Sequence, residues 1–244
     1  MSKIHFVLQG KGGVGKSLVA SLIAQYCIEH DNIPMCIDTD PVNQSFGAYE
    51  ALNVHQLDIM VNNDVDQSKF DQLIELINQH PEQDFVIDNG ASCFVPLSNY
   101  LLNNEIIEML LEQEHEVVIH TVVTGGQSMM DTLHGLDTLI TSYPNTCAFV
   151  VWKNPYWGAI ANETNSFEQM PIYLEHKQKI TALISLPEMQ KDTFQRDFTT
   201  MLAVKHTFAE AVIDPQLSIM NRQRLTMLRR KIFTEIEASH CLWD

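Results

Sequence analysis

Short apolar runs alternate along this chain with longer segments in which apolar residues recur at helical spacing. The runs predict six strands, at Ile4–Gln9, Met35–Asp38, Phe85–Asp88, Glu116–Val123, Ala148–Trp152 and Ile180–Leu186. The longer segments predict helices near Ser17–His30, Phe70–Gln79, Ser98–Gln113, Ser128–Thr141 and Ser166–Lys177. Strands and helices in alternation are typical of a doubly wound α/β fold, with a mostly parallel sheet and helices on both faces.

The end of the chain follows a different pattern. From Asp192 to Asp244 there are no further strand-like runs, only helical spacing. No internal repeat or low-complexity linker interrupts the 244 residues. We therefore expect one domain over residues 1–244, with residues 192–244 as a helical extension packed on it.

Composition and charge narrow the class of protein. The chain carries 15 basic and 31 acidic residues, a formal net charge of −16, so bulk charge does not favour binding to nucleic acid. Its five cysteines form no CxxC pair, which argues against a zinc or dithiol site. With no signal peptide or long apolar segment in the sequence, we expect a cytoplasmic protein without stable membrane insertion.

A glycine-rich segment between the first predicted strand and helix carries the clearest chemistry. Gly10-Lys11-Gly12-Gly13-Val14-Gly15-Lys16-Ser17 matches GxxxxGK[ST], and Leu18 continues into the helix. Such a loop turns backbone N–H groups towards a phosphate, and the following helix N-terminus adds positive potential. We expect Lys16 to reach the β- and γ-phosphates and the Ser17 hydroxyl to bind Mg²⁺.

Three aspartates follow predicted strands, where the ligands of open α/β sheets gather. Asp38 and Asp40 lie in Asp38-Thr39-Asp40-Pro41, and Asp88 ends the apolar run Phe85–Asp88. The run has the shape of a Walker B strand, whose aspartate supports Mg²⁺. Two plainer interpretations stay open: Asp40 as the start of an Asx turn, and Asp88 as a cap or turn residue.

The string GKGGVGKS resembles the deviant Walker A motif of the ParA/MinD family of ATPases. The resemblance implies that Lys11, otherwise a solvated loop lysine, reaches across a dimer interface to the partner's nucleotide. It also implies that Asp38 helps to hold the water shell of Mg²⁺ and that Asp40 positions the attacking water. The family commonly has DTPP where this chain has Asp88-Asn89-Gly90-Ala91, so its second switch segment differs.

Two further residues are assigned by the same resemblance. Asn154 follows the strand run at Val150–Trp152 and would read the adenine edge, and Pro187 would lie in the adenine-side loop. An Asn before Pro is equally typical of a turn. The chain has no Asn-Lys-x-Asp signature for guanine, so ATP is favoured over GTP.

A basic cluster marks the last predicted helix. It consists of Arg222, Arg224, Arg229, Arg230 and Lys231. Leu225, Leu228, Ile232 and Ile236 follow a helical period, so one face of this helix should pack on the domain. The cluster is either a solvated face of that helix, or a contact for DNA or for an acidic partner protein.

The resemblance extends over the whole chain to a narrower branch of ParA-like proteins encoded in plasmid conjugal-transfer regions. The segments that carry it are Val86–Ser92 (VIDNGAS), His120–Gln127 (HTVVTGGQ), Val151–Gly158 (VWKNPYWG) and Ile219–Leu225 (IMNRQRL). It implies a slow, partner-stimulated ATPase that uses ATP and Mg²⁺, forms an ATP-dependent homodimer and acts with other conjugal-transfer proteins. A nucleotide-gated binding module with little hydrolysis is the alternative, and a biosynthetic ligase on the same fold would need a substrate pocket for which no extra basic cluster is evident.

Overall fold

A computed structural model describes residues 2–40, 42–61, 64–162 and 165–240 of the chain. Pro41 of the predicted DxDP segment, Cys241 and the last residues of the predicted extension lie outside the described residues. The strands are β1 (Lys3–Val7), β2 (Met35–Asp38), β3 (His55–Gln56), β4 (Met60–Val61), β5 (Asp64–Val65), β6 (Phe85–Asp88), β7 (Glu116–Thr124), β8 (Ala148–Asn154) and β9 (Ile180–Ser185).

Seven of these strands form one parallel sheet in the order β3-β2-β6-β1-β7-β8-β9, while β4 and β5 form a separate antiparallel pair. The helices are α1 (Lys16–Glu29), α2 (Asp71–Gln79), α3 (Phe94–Asn103), α4 (Ile106–Glu112), α5 (Met129–Ser142), α6 (Pro171–His176), α7 (Arg196–Ala203), α8 (Phe208–Ile213) and α9 (Ile219–Ala238). No helix in the described ranges is long and apolar enough to cross a bilayer.

The core lies on both faces of the sheet. Alternate residues of β1 point to opposite sides, so that Ile4 and Phe6 join one apolar cluster and Val7 joins the other. Helices α2 to α5 cover the first face, whereas α1 and α7 to α9 cover the second. This arrangement confirms the predicted doubly wound, mostly parallel α/β fold.

Two predicted helices are wrong in their extent. The segment Ser98–Gln113 is not one helix, because Glu105 has a φ of 51° and this left-handed conformation ends α3 before α4 begins. The segment Ser166–Lys177 starts with a short 3₁₀ turn, and α6 begins only at Pro171, a residue favoured at the first helical position because it needs no N–H partner there.

The sequence also failed to predict β3, β4 and β5. Strand β3 is two residues long, polar and exposed, and it lies at the edge of the sheet. It has no apolar run for a sequence pattern to detect, since an edge strand needs none.

Candidate functional site

The glycine-rich loop connects the end of β1 to the start of α1. Gly13 and Gly15 have φ values of 72° and 108°, in the left-handed region that favours glycine. Helix α1 begins at Lys16, so its unpaired N-terminal amides face the loop. The geometry is that of an anion site built from backbone.

Lys16 is nearly buried in this loop, and its Nζ donates a hydrogen bond to the Lys11 carbonyl at 3.0 Å. Burial lowers the pKa of Lys16, while the charges of Asp88 and Asp40 raise it. The nearby carboxylates therefore favour the ammonium form, which a phosphate-binding lysine requires.

Lys11 is partly exposed, with 41% of its side-chain surface accessible. Its Nζ lies 2.7 Å from the Asp131 Oδ2 in the first turn of α5. Asp131 was not identified from the sequence, because nothing near it in the chain marks it as a partner of the loop.

A buried glutamine connects the loop to β7 and α5. The Gln9 Nε2 donates to the carbonyls of Val122 at 3.1 Å and Thr132 at 3.2 Å. A Cβ atom at Gly135 would lie 2.1 Å from the Gln9 Oε1, so this approach requires glycine in α5. Gln9 was predicted only as the end of a strand.

Asp38 shapes the segment that follows β2. Its Oδ1 accepts a hydrogen bond from the Asp40 N–H at 2.8 Å, and its Oδ2 accepts from the Phe46 and Gly47 N–H groups at 3.1 and 2.8 Å. Burial raises the pKa of Asp38, and these backbone hydrogen bonds oppose that shift. The carboxylate thus holds both ends of the loop between residues 40 and 47.

Asp40 lies against the segment that follows β6. Its Oδ1 accepts from the N–H groups of Val42 at 2.9 Å and Asn43 at 3.1 Å, an Asx-type turn. A Cβ atom at Gly90 would lie 2.5 Å from the Asp40 Cγ. Glycine in the Asn89-Gly90-Ala91 segment therefore lets the two loops meet at Asp40.

Asp88 faces Asp38 in the register of β2 and β6 and is 1% exposed. Burial and the Asp38 charge raise the pKa of Asp88 to about 7, against the lowering effects of the Ser17 hydrogen bond and Lys16. Within the described residues, the Asp88 Oδ1 has no hydrogen-bond partner. A buried, unpartnered carboxylate oxygen beside a serine hydroxyl fits a hard divalent cation such as Mg²⁺.

The protein side chains alone do not make a full metal cage. In the ranges that the structure describes, no three His, Cys, Asp or Glu side chains come close enough to hold a metal ion. A Mg²⁺ ion at Ser17 and Asp88 would therefore depend on phosphate oxygens and water for its other ligands, as is common for this ion.

A cavity of about 700 Å³ brings much of the predicted site together. Its wall contains seven predicted residues, namely Gly12, Gly13, Gly15, Lys16, Ser17, Leu18 and Asp40. Gly10, Lys11, Val14, Asp38 and Asp88 do not line it. Lys205, from the chain after α7, does line it and was missed by the sequence analysis.

A second cavity, of about 590 Å³, has both Asn154 and Pro187 in its wall. The Asn154 Nδ2 donates to the Val14 carbonyl at 2.9 Å, and its Oδ1 accepts from the Tyr156 N–H at 3.2 Å. Asn154 therefore joins the end of β8 to the glycine-rich loop. That loop lines the cavity of about 700 Å³, which we call the phosphate cavity.

The basic cluster of α9 divides into two groups. Arg224 donates to the buried Asp197 at 2.5 Å, and Arg229 pairs with Glu29 at 3.3 Å. Arg222 is partly exposed, and Arg230 and Lys231 are exposed. Two of the five cations thus connect α9 to α7 and α1.

The fold and the glycine-rich loop define a P-loop nucleoside triphosphatase fold of the deviant Walker A, ParA/MinD type. Among solved structures, MinD from Aquifex aeolicus matches with a TM-score of 0.51 and 16% identity over 96% of this chain and 98% of that one. A chain of the MinC:MinD cell division protein complex of Aquifex aeolicus matches with a TM-score of 0.53 and 14% identity over 96% of each chain. At this identity the match concerns the fold alone.

Curated sequences give the narrower relationship. Protein TraL from Escherichia coli is 50% identical over 242 residues, which cover 99% of this chain and 100% of that protein. The chain belongs to the TraL family. No family model matches it.

Proposed function

We propose that this protein is an Mg²⁺-dependent ATPase that dimerises on ATP and acts as an accessory protein in plasmid conjugal transfer. The observation that carries the proposal is the single cavity in which the P-loop, Lys16, Ser17 and Asp40 meet. Membership of the TraL family and the resemblance to conjugal-transfer proteins support the biological role.

Each residue of the site has a distinct part in the proposed reaction. The P-loop amides and Lys16 bind the β- and γ-phosphates and stabilise the charge that develops on them. Ser17 and Asp88 hold Mg²⁺, with Asp38 supporting its water shell, and Asp40 orients the attacking water. When bound, the cation neutralises phosphate charge.

Base selection is assigned to the second cavity. Asn154 reads the adenine edge, and Pro187 closes the adenine side. Both residues line the second cavity, which has a volume of about 590 Å³. ATP rather than GTP is the proposed nucleotide, because no guanine signature occurs in the sequence.

The proposed dimer depends on Lys11. Its side chain is 41% exposed and can be presented to a second copy of the chain. In the dimer, the partner subunit's Lys11 stabilises the phosphate charge of the first site.

Turnover is slow until another conjugal-transfer protein stimulates it. A cytoplasmic location and contact of Arg222, Arg230 and Lys231 with DNA belong to the same proposal.

The proposed ATP-dependent dimerisation is tested by measuring the oligomeric state by light scattering. The wild type is measured with ADP and with ATP, and the Asp40→Ala variant is measured with ATP. We expect a monomer with ADP and a dimer with ATP, the dimer being most stable in Asp40→Ala because hydrolysis stops. Lys16→Ala serves as the control that loses nucleotide. Monomers in every state, with ATP still bound, would contradict the proposed switch.

A nucleotide-gated binding module with little hydrolysis is the second candidate. It is favoured by the Asx turn, in which one Asp40 oxygen already accepts two backbone N–H groups. This leaves the carboxylate less free to orient water. Phosphate release distinguishes the two: the module binds ATP fully but releases no phosphate, even with transfer proteins or DNA present.

A further inference from the structure

Lys205 occupies a backbone position that usually belongs to glycine. Helix α7 ends in a Schellman-type turn, with the Lys205 N–H bonded to the Leu202 carbonyl at 3.2 Å and the His206 N–H bonded to the Met201 carbonyl at 3.2 Å. The φ of Lys205 is 57°, a left-handed value that is strained for a residue with a side chain. The turn itself does not need a lysine.

The side chain of Lys205 is directed towards the phosphate cavity. Its Nζ lies 5.4 Å from the centroid of the Tyr49 ring, and Lys205 shares the cavity wall with Gly12, Gly13 and Asp40. Tyr49 is buried, with 3% of its surface exposed, and belongs to the apolar cluster that includes the residues of α1. The ring of this buried tyrosine therefore offers the Lys205 ammonium group a cation–π contact beside the loop.

The Lys205 ammonium group has no Asp or Glu oxygen within 4.0 Å in the part of the chain that the structure describes. Among the ion pairs of the described residues, none includes Lys205. An anion in the cavity would supply the missing partner.

The position of Lys205 within the cavity indicates which part of a nucleotide its side chain would contact. Lys205 lies in the wall that contains Asp40 and Asn43, whereas Asn154 and Pro187 line the other cavity. Asp40 is the residue assigned to the attacking water, which approaches the terminal phosphate. Lys205 is therefore at the phosphate end of the site.

We propose that Lys205 is a third phosphate-binding lysine, which contacts the terminal phosphate of a nucleoside triphosphate. The inference rests on the proposed function, because it requires that the P-loop bind a nucleotide. It gives the C-terminal helices a direct connection to the nucleotide: a contact at Lys205 acts on the turn between α7 and α8. The state of the phosphate is then transmitted to the layer that carries the basic residues of α9.

Titration calorimetry of the full chain with Mg²⁺ and either ADP or a non-hydrolysable ATP analogue tests this. Lys205→Gly suits the test, because glycine fits the left-handed turn and should leave the melting temperature unchanged or higher. We expect Lys205→Gly to bind the triphosphate analogue about tenfold more weakly and ADP less than threefold more weakly, as the loss of one charge-assisted contact implies. Lys205→Arg should restore most of the affinity.

Lys177→Met is the matched control, since Lys177 is exposed and follows α6 on another part of the surface. It should bind both nucleotides like the wild type. Equal triphosphate affinity in Lys205→Gly and the wild type would overturn the inference while leaving the proposed function intact. A wild type that binds neither nucleotide would overturn both.

Discussion

Lys11 forms an ion pair with Asp131 of its own chain, with 2.7 Å between the Lys11 Nζ and the Asp131 Oδ2. The pair joins the glycine-rich loop to the first turn of α5. In the proposed dimer the same ammonium group approaches the nucleotide of the partner subunit. In that dimer the two contacts would compete for one side chain, so we expect the Asp131 charge to oppose dimerisation.

Asp131→Asn should therefore strengthen the ATP-dependent dimer. Both side chains are about half exposed, and exposed pairs contribute little, so we expect only a two- to fivefold lower dimer dissociation constant. Light scattering over a concentration series with a non-hydrolysable ATP analogue measures it. Glu175→Gln, an exposed site on α6, removes the same charge and should have no effect. A weaker dimer in Asp131→Asn would mean that Asp131 helps to present Lys11.

Asp38→Ala should destabilise the protein even without nucleotide. Three backbone N–H groups, from Asp40, Phe46 and Gly47, would lose their acceptor. We expect a loss of about 2 kcal/mol in the free energy of unfolding, since the lost acceptor is charged but the burial of its charge is also relieved. Urea denaturation of the nucleotide-free protein measures it.

Asp66→Ala is the matched control for Asp38→Ala. Asp66 also accepts a backbone N–H, from Ser68 at 3.0 Å, but at an exposed turn. Asp66→Ala should therefore lower the free energy of unfolding clearly less than Asp38→Ala does. If the two variants were equally stable, the Asp38 hydrogen bonds would not be what holds the loop between residues 40 and 47.

The parts of the site that the sequence predicts are those that lie close together in the chain. Strand β1, the glycine-rich loop and α1 are contiguous, so one local motif identifies Lys16 and Ser17 and the sheet direction places Asp40 beside them. Lys205 and Asp131 have no such motif. They reach the site only through the packing of α7 and α5, which no local pattern encodes.

The same distinction explains the errors in the fold. Buried strands such as β6 are recognisable from the sequence, because three apolar residues run up to Asp88, which ends the strand. In the segment Ser98–Gln113 the apolar spacing continues through Asn104 and Glu105, so the pattern did not register the left-handed turn that separates α3 from α4. Periodicity reports which side of an element is buried, but a single backbone angle can end the element without changing that pattern.

Asn154→Ala should weaken binding of the phosphates as well as of the base. The Asn154 Nδ2 holds the Val14 carbonyl of the loop at 2.9 Å, so its loss frees the loop that binds phosphate. We expect a three- to tenfold lower affinity for Mg²⁺-pyrophosphate, which has no base, as one neutral hydrogen bond implies. Calorimetry with pyrophosphate, ADP and GDP separates the two effects. Unchanged pyrophosphate binding with weaker ADP binding would limit Asn154 to the base.

Asp88→Asn should change how stability depends on pH. The pKa of Asp88 is raised to about 7 in the folded protein, because burial disfavours its charge. The folded state therefore holds a proton that the unfolded chain releases near pH 4, and the stability from that proton is complete below pH 4 and is lost as the pH rises to 7. Asn carries no charge at any pH, so Asp88→Asn should not lose this stability as the pH rises.

The free energy of unfolding in urea, measured without nucleotide from pH 5 to pH 8, checks this. The advantage of Asp88→Asn over the wild type should grow with pH and level off above about pH 7, reaching roughly 4 kcal/mol at most for a shift of about three pKa units. Glu75→Gln, at an exposed position of α2, controls for the removal of one charge and should show no such trend. An advantage that stays level, or that shrinks as the pH rises, would contradict the raised pKa of Asp88.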